Sequence, residues 1–168
     1  MTIGMLLAVG ACSPNAAGDP APVAQDLARH QNAVHPVSGL PVIPLTVSTP
    51  HGEYEFTVEV AASADEQARG LMFRTALGGD EGMIFPRRPA DLASFWMKDT
   101  PLPLDIIFIG TDGRILNIAA QAVPNSMTHV SAVDYAAAVL EIPGGRAAEL
   151  GIGHGDRVDF AGAPWAGR

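Results

Sequence analysis

At 168 residues, 48% of them apolar, the chain has length for one ordinary domain and a tail, with enough apolar side chains for a real core. Its net charge of −8, with only ten Lys and Arg, opposes binding to phosphate backbones or anionic surfaces, so nucleic acid is not an expected partner. A single cysteine excludes an internal disulfide and any multi-Cys zinc site.

Ile3 to Val9 is apolar but far shorter than the ~20 residues a spanning helix needs. Its length suits the hydrophobic part of a secretory signal, expected over residues 1–11. Val9-Gly10-Ala11-Cys12 follows directly and resembles the lipobox of bacterial lipoproteins, although no Lys or Arg precedes the apolar run. Ser13 to Asp26 is small, polar and punctuated by proline, as a flexible tether is. Residues 12–44 are therefore expected to be a linker, with Pro36, Pro41 and Pro44 against regular structure and His35 solvated. Lipidation at Cys12 and a place on the periplasmic face of a bacterial membrane, or in the periplasm, follow as expectations.

From Leu45 the period becomes two. Leu45 to Ser48 alternates, Pro50-His51-Gly52 turns, and Glu53 to Val60 alternates with Tyr54, Phe56, Val58 and Val60 on one face, which predicts a hairpin. Ser63-Ala64-Asp65-Glu66 has capping-box spacing, and Gly70 stands where a helix over 64–69 would end. Gly82 to Phe85 is a short apolar run stopped by Pro86. Phe95-Trp96-Met97 is another. Ile106 to Ile109, apolar on both faces, reads as a central strand, turned by Gly110-Thr111-Asp112-Gly113 into Arg114 to Ile118. Val139 to Ile142 is a further strand, residues 146–150 suit a helical turn closed by Gly151, and Arg157 to Phe160 ends the pattern. No βαβ rhythm stands out. The expected fold is mostly β: a compact antiparallel sandwich or barrel over residues 45–160, with one or two short helices and a C-terminal tail from 161 to 168.

Three segments carry more than a core requires: Arg69-Gly70-Leu71-Met72-Phe73-Arg74; Phe95-Trp96-Met97-Lys98-Asp99-Thr100 with Pro103-Leu104-Asp105; and Val139-Leu140-Glu141-Ile142 leading to Gly155-Asp156. In this order they resemble the uncharacterised prokaryotic family called domain of unknown function 192, whose pattern has Asn where this chain has Asp99. The resemblance covers about residues 53–160. It implies a small mostly-β fold and frequent export, and it implies no reaction.

The residues themselves suggest more. Asp105 and Glu141 are carboxylates inside apolar strands, and burying either ionised costs several kcal/mol unless a cation or several donors meet it. Each is therefore a candidate general acid or base, or a structural pin; Lys98, Arg69, Arg74 and Arg146 are possible partners. Trp96 beside Lys98, Asp99 and Thr100 combines a flat apolar face with a cation and hydrogen-bonding groups, the make-up of a small-ligand site. The expected ligand surface is Arg69, Met72, Arg74, Trp96, Lys98, Asp99, Thr100 and Asp105. Met72, Met83, Met97 and Met127 with His129 and His154 could serve copper(I), but their spacing matches no ligand motif, and core packing is the better account of them. There is no nucleophile elbow, no cysteine in the domain and no phosphate-binding glycine loop, so neither cofactor nor metal is expected. The leading expectation is a non-catalytic accessory domain binding a small molecule or an envelope protein. An enzyme using Asp105 or Glu141 is the alternative, and a copper(I) carrier the third.

Overall fold

The computed structural model describes Met1 and residues 33–165. Cys12, the signal-like segment and most of the expected tether lie outside these residues. Strands β1 (Val42–Thr49) and β2 (Gly52–Val60) form the expected hairpin, with Phe56 and Val58 buried and Tyr54 and Val60 packed at the margin of the same core. Helix α1 (Ala64–Arg69) begins where Ser63 accepts the Glu66 N–H while the Glu66 carboxylate takes the Ser63 N–H, a complete capping box. It ends at Gly70, whose N–H closes on the Glu66 carbonyl and whose φ of 48° favours glycine.

Next come β3 (Glu81–Asp91), β4 (Ser94–Phe95), β5 (Leu104–Gly110), β6 (Ile115–Ala122), β7 (Val130–Ser131) and β8 (Ala136–Pro143). Helix α2 (Arg146–Leu150) and β9 (Arg157–Phe160) complete the described chain. The main sheet has seven strands in the order β6-β5-β8-β3-β2-β1-β9, and β4 with β7 forms a small second sheet. Strand β5 is buried at every position, as a strand apolar on both faces must be.

The sheet is mixed rather than wholly antiparallel. β2 and β3 run parallel because residues 61–80, α1 among them, cross over between the two strands. One βαβ unit is therefore present, and a six-residue helix was too short to announce it by periodicity. The sheet curls until its edge strands β6 and β9 meet at one end through the bridge Arg114 to Arg157, but it does not close into a barrel.

Each face of the curled sheet carries a core. On one side Leu45, Val47, Val58, Ile84, Ile107, Leu140, Ile142 and Val158 pack together. On the other, Met83, Phe85, Ile106, Phe108 and Val139 pack beneath Leu71, Ala93 and Met97. The domain also reaches beyond its expected ends. Val34 bridges Pro41 and Pro44 lies within β1, so the ordered chain starts before residue 45. Ala163 and Trp165 are buried in the first core, and the Trp165 indole N–H donates to the Val158 carbonyl at 3.0 Å. That segment is a packed end of the domain, not a free tail.

Candidate functional site

Strand β8 places two kinds of side chain on its two faces. Leu140 and Ile142 enter the first core, whereas Val139 and Glu141 face the second. Glu141 lies opposite Met83 of β3 and Ile106 of β5, in the middle of an apolar surface, and is only 4% exposed. At Gly82 a side chain would bring its Cβ to 2.5 Å from the Glu141 carbonyl oxygen, so glycine there lets β3 and β8 approach.

Among the described residues no hydrogen bond or ion pair reaches the Glu141 carboxyl, and burial pushes it up to about 8. Every fully enclosed side-chain polar atom among the described residues has a hydrogen-bond partner. Glu141 lines a cavity of about 370 Å³. Phe85, Phe95, Leu71 and Met72 supply apolar wall; Trp96, Thr100, Ser94, Gln67, Arg69 and Arg87 supply the polar and amphipathic parts. The rings of Phe85 and Phe95 meet edge to face at 5.1 Å, and Phe95 continues onto Phe108 at 6.2 Å, which fixes the aromatic side of the cavity.

The elements around Glu141 each position one group. Helix α1 brings Gln67 and Arg69, and Arg69 makes no ion pair among the described residues. Strand β3 brings Arg87, whose Nε lies 3.0 Å from Asp91 Oδ1 and whose Nη1 lies 3.0 Å from Gln67 Oε1. Strand β4 brings Phe95 and the segment after it Trp96, which is 38% exposed, with the Lys98 ammonium 5.6 Å from its ring centre and His129 against it at 5.3 Å. Thr100 is buried, with its hydroxyl donating to the Lys98 carbonyl at 3.0 Å.

Of the residues singled out by sequence, Arg69, Met72, Trp96, Thr100 and Glu141 line this one cavity, and Lys98 stands over Trp96. Three go elsewhere. Asp99 is exposed with a φ of 51°, and its carbonyl takes the Phe73 N–H at 2.7 Å, tying two loops together. Arg74 is paired to buried Glu59, which Ser38 also donates to and which lies 3.7 Å from the His35 ring. His35 is thus packed against an ion pair rather than solvated.

Asp105 faces the first core and is fully buried. It accepts the N–H of Gln121 at 2.7 Å and those of Gly145 and Ala147 at 2.9 Å each. Gly145, at φ 90°, adopts the left-handed turn that aims two of these amides at it. Asp105 therefore pins the start of α2 to β5, away from the cavity.

Met83 and Met97 are core residues, Met127 is exposed, and among the described residues no three His, Cys, Asp or Glu side chains gather as a metal site. His154 is occupied with the Leu116 carbonyl at 2.8 Å. A larger groove of about 600 Å³, lined in part by Ile43, Val60, Pro89 and Phe160, holds no unpartnered buried group: Arg87 and Asp91 pair there, and Arg88 donates to Gly162.

Arg87, Gln67 and Ser94 are the cavity residues that sequence did not single out. Carrying the β3 alternation past Pro86 places Arg87 on the Phe85 side, and that was the available signal.

The family model described as Uncharacterized ACR, domain of unknown function 192, matches residues 46–160, and the chain belongs to that family. Two solved structures are similar. A protein of unknown function from Novosphingobium aromaticivorans is 54% identical, with a TM-score of 0.75 over 77% of this chain and 95% of its own. A protein from Sinorhizobium meliloti described as a putative transcription regulator is 36% identical, with a TM-score of 0.70 over 72% of this chain and 95% of its own. No curated protein matches the chain.

Proposed function

We propose that this member of the family is a small-ligand-binding accessory domain, held at the bacterial cell envelope by a lipid on Cys12. One observation carries the binding role: a carboxyl buried to all but 4%, without a partner among the described residues, lines a cavity with aromatic walls. Leaving such a group without a partner costs stability, and a ligand that satisfies it recovers that cost only when bound. The cavity sets aromatic and aliphatic walls beside convergent polar groups in about equal share, a combination that can both bury and orient a small molecule. The placement at the envelope rests on Val9-Gly10-Ala11-Cys12 and the proline-punctuated segment that follows. The regulator description of the Sinorhizobium relative stays with that protein, since a net charge of −8 here opposes a phosphate backbone.

A thermal-shift screen of the purified chain against metabolites, cell-wall fragments and metals tests the reading. A ligand at a hundredfold its Kd stabilises the native state by about 2.7 kcal/mol. A hit is expected to lose its shift in Trp96→Ala and Glu141→Leu, both checked for native folding. A hit that shifts these variants as much as the wild type places binding elsewhere.

The position of Glu141 also favours a second reading, as a general acid or base. A carboxyl that ionises near 8 is matched to proton transfer around neutral pH. Chemical conversion of a bound hit, lost in Glu141→Gln, would establish it; binding without conversion leaves the accessory role.

A further inference from the structure

The same cavity indicates what its ligand is, an inference that rests on the binding role above. We infer that the cavity takes a small organic acid with a second, uncharged hydrogen-bond acceptor: the acceptor meets Glu141 at the floor and the acid group meets Arg69 at the rim.

The charges around Glu141 carry this assignment. From α1 comes Arg69, without an ion pair among the described residues; from β3 comes Arg87, held by Asp91. After β4 come Lys98, lying over the Trp96 ring, and exposed Asp99; beside Trp96 stands His129. Strand β5 adds none, since Asp105 faces the other side of the sheet. Arg69 and Lys98 thus stand on this side of the cavity without an ion pair among the described residues, in a protein whose net charge is −8. Cations without a carboxylate partner draw anions in. The floor has the opposite need. Among Met83, Phe85, Ile106 and Val139 the Glu141 carboxyl sits as the neutral acid at pH 7, an O–H donor with no acceptor among the described residues. A ligand amine would have to enter past Arg69 and Lys98 and expel that proton. A carbonyl, ether or hydroxyl oxygen accepts the bond directly, with the ligand's apolar body between Leu71, Phe85 and Phe95.

Three probes of one size separate these chemistries by calorimetry on the full chain: 4-acetylbenzoate, 4-ethylbenzoate and 4-acetylbenzylamine. The first is expected to bind, the second about tenfold more weakly because the buried donor stays unpaired, and the amine most weakly. Above about pH 8 the affinity for 4-acetylbenzoate should fall about tenfold per unit as Glu141 ionises. Glu141→Gln keeps an N–H donor, so it should bind within about threefold of wild type at pH 7 and lose that fall. Arg69→Ala should weaken both benzoates by about five- to tenfold in low salt and leave the amine unweakened. An amine that binds tightest, with affinity rising with pH, overturns the assignment and makes Glu141 the counter-ion of a cation. Equal binding of the two benzoates removes Glu141 from recognition. Binding by none of the three rejects the ligand class, while the library screen decides separately whether the cavity binds anything at all.

Discussion

Asp105 and Glu141 are buried carboxylates on neighbouring strands, β5 and β8, and one position out of register: Asp105 opposes Ile142, and Ile106 opposes Glu141. That single step sends them to opposite faces. Among the described residues, Asp105 is met by three backbone amides and Glu141 by none. Both are almost wholly buried, so burial does not separate a structural carboxylate from a candidate functional one. The inventory of partners does. A carboxylate ringed with donors has its chemistry already occupied, whereas one left without them beside a cavity has its chemistry available.

The strongest way to break this contrast is to delete each carboxylate and compare the sign of the effect. Asp105→Ala leaves the Gln121, Gly145 and Ala147 amides buried without an acceptor and should destabilise the domain by about 3–5 kcal/mol, read as a lowered midpoint in urea. Asp105→Asn should recover only part of this, because its NH₂ group faces donors rather than acceptors. A loss under about 1 kcal/mol for Asp105→Ala would mean that the amides find other partners and that the pin is dispensable.

Glu141→Gln should act in the other direction, and its size should depend on pH. The folded carboxyl ionises near 8 and the unfolded one near 4.5, so between those values the folded state holds the extra proton. Wild-type stability should therefore fall as pH rises from 4.5 to 8 and flatten above, by at most about 1.4 kcal/mol per unit within the window. Glu141→Gln lacks this slope. It should match the wild type near pH 4 and exceed it by about 2–4 kcal/mol at pH 9. Denaturant curves at four or five pH values test this. Parallel pH profiles for the two proteins would show that Glu141 has a partner in solution.

The sheet was legible in the sequence because its signals are local. Period-two alternation marked β1 and β2, Ser63 and Glu66 announced α1, and Gly110 to Gly113 turned β5 into β6. Relations across the chain were not legible. The parallel pairing of β2 and β3 depends on a crossover too short for a helical period. Arg74 was expected at the ligand surface and is claimed by Glu59, fifteen residues away, because Glu59 takes a buried position on β2 that the strand's alternation assigns to solvent. The two carboxylates looked alike in sequence for the same reason. The amides that satisfy Asp105 arrive from as far as 42 residues along the chain, and the absence of any equivalent for Glu141 has no sequence signature at all. Trp96, Arg69 and Thr100 could be grouped because an aromatic, cations and a hydroxyl are unusual so close to an apolar strand, but the cavity joining them to Glu141 is a product of the fold.

A smaller effect sharpens the contrast through α1, which walls the cavity of Glu141 and does not touch Asp105. Ser63→Ala removes the capping oxygen from the Glu66 N–H and should cost about 1 kcal/mol of stability. Amide hydrogen exchange should show the loosening at α1 and the cavity wall, with the amides on Asp105 unchanged in rank. Equal loss of protection at Gln121, Gly145 and Ala147 would show that the two faces of the sheet unfold as one unit.

The smallest effect is optical, and it separates the two faces without perturbing either carboxylate. The chain has two tryptophans, Trp96 at the mouth of the Glu141 cavity and Trp165 in the opposite core. In Trp165→Phe only Trp96 emits, and a carboxyl changing charge beside an indole alters its emission. Trp96 fluorescence should therefore titrate with a midpoint near 8, while Trp96→Phe, which leaves only Trp165, should give a flat profile across that range. His129 also touches Trp96, so the measurement belongs in a His129→Gln background, where Glu141 is the titrating group left in the cavity wall. Adding Glu141→Gln should then abolish the midpoint and leave the emission near the low-pH wild-type level, because the amide resembles the neutral acid. A midpoint that survives this last change belongs to some other group, and the cavity would then lack the one property that sets Glu141 apart from Asp105.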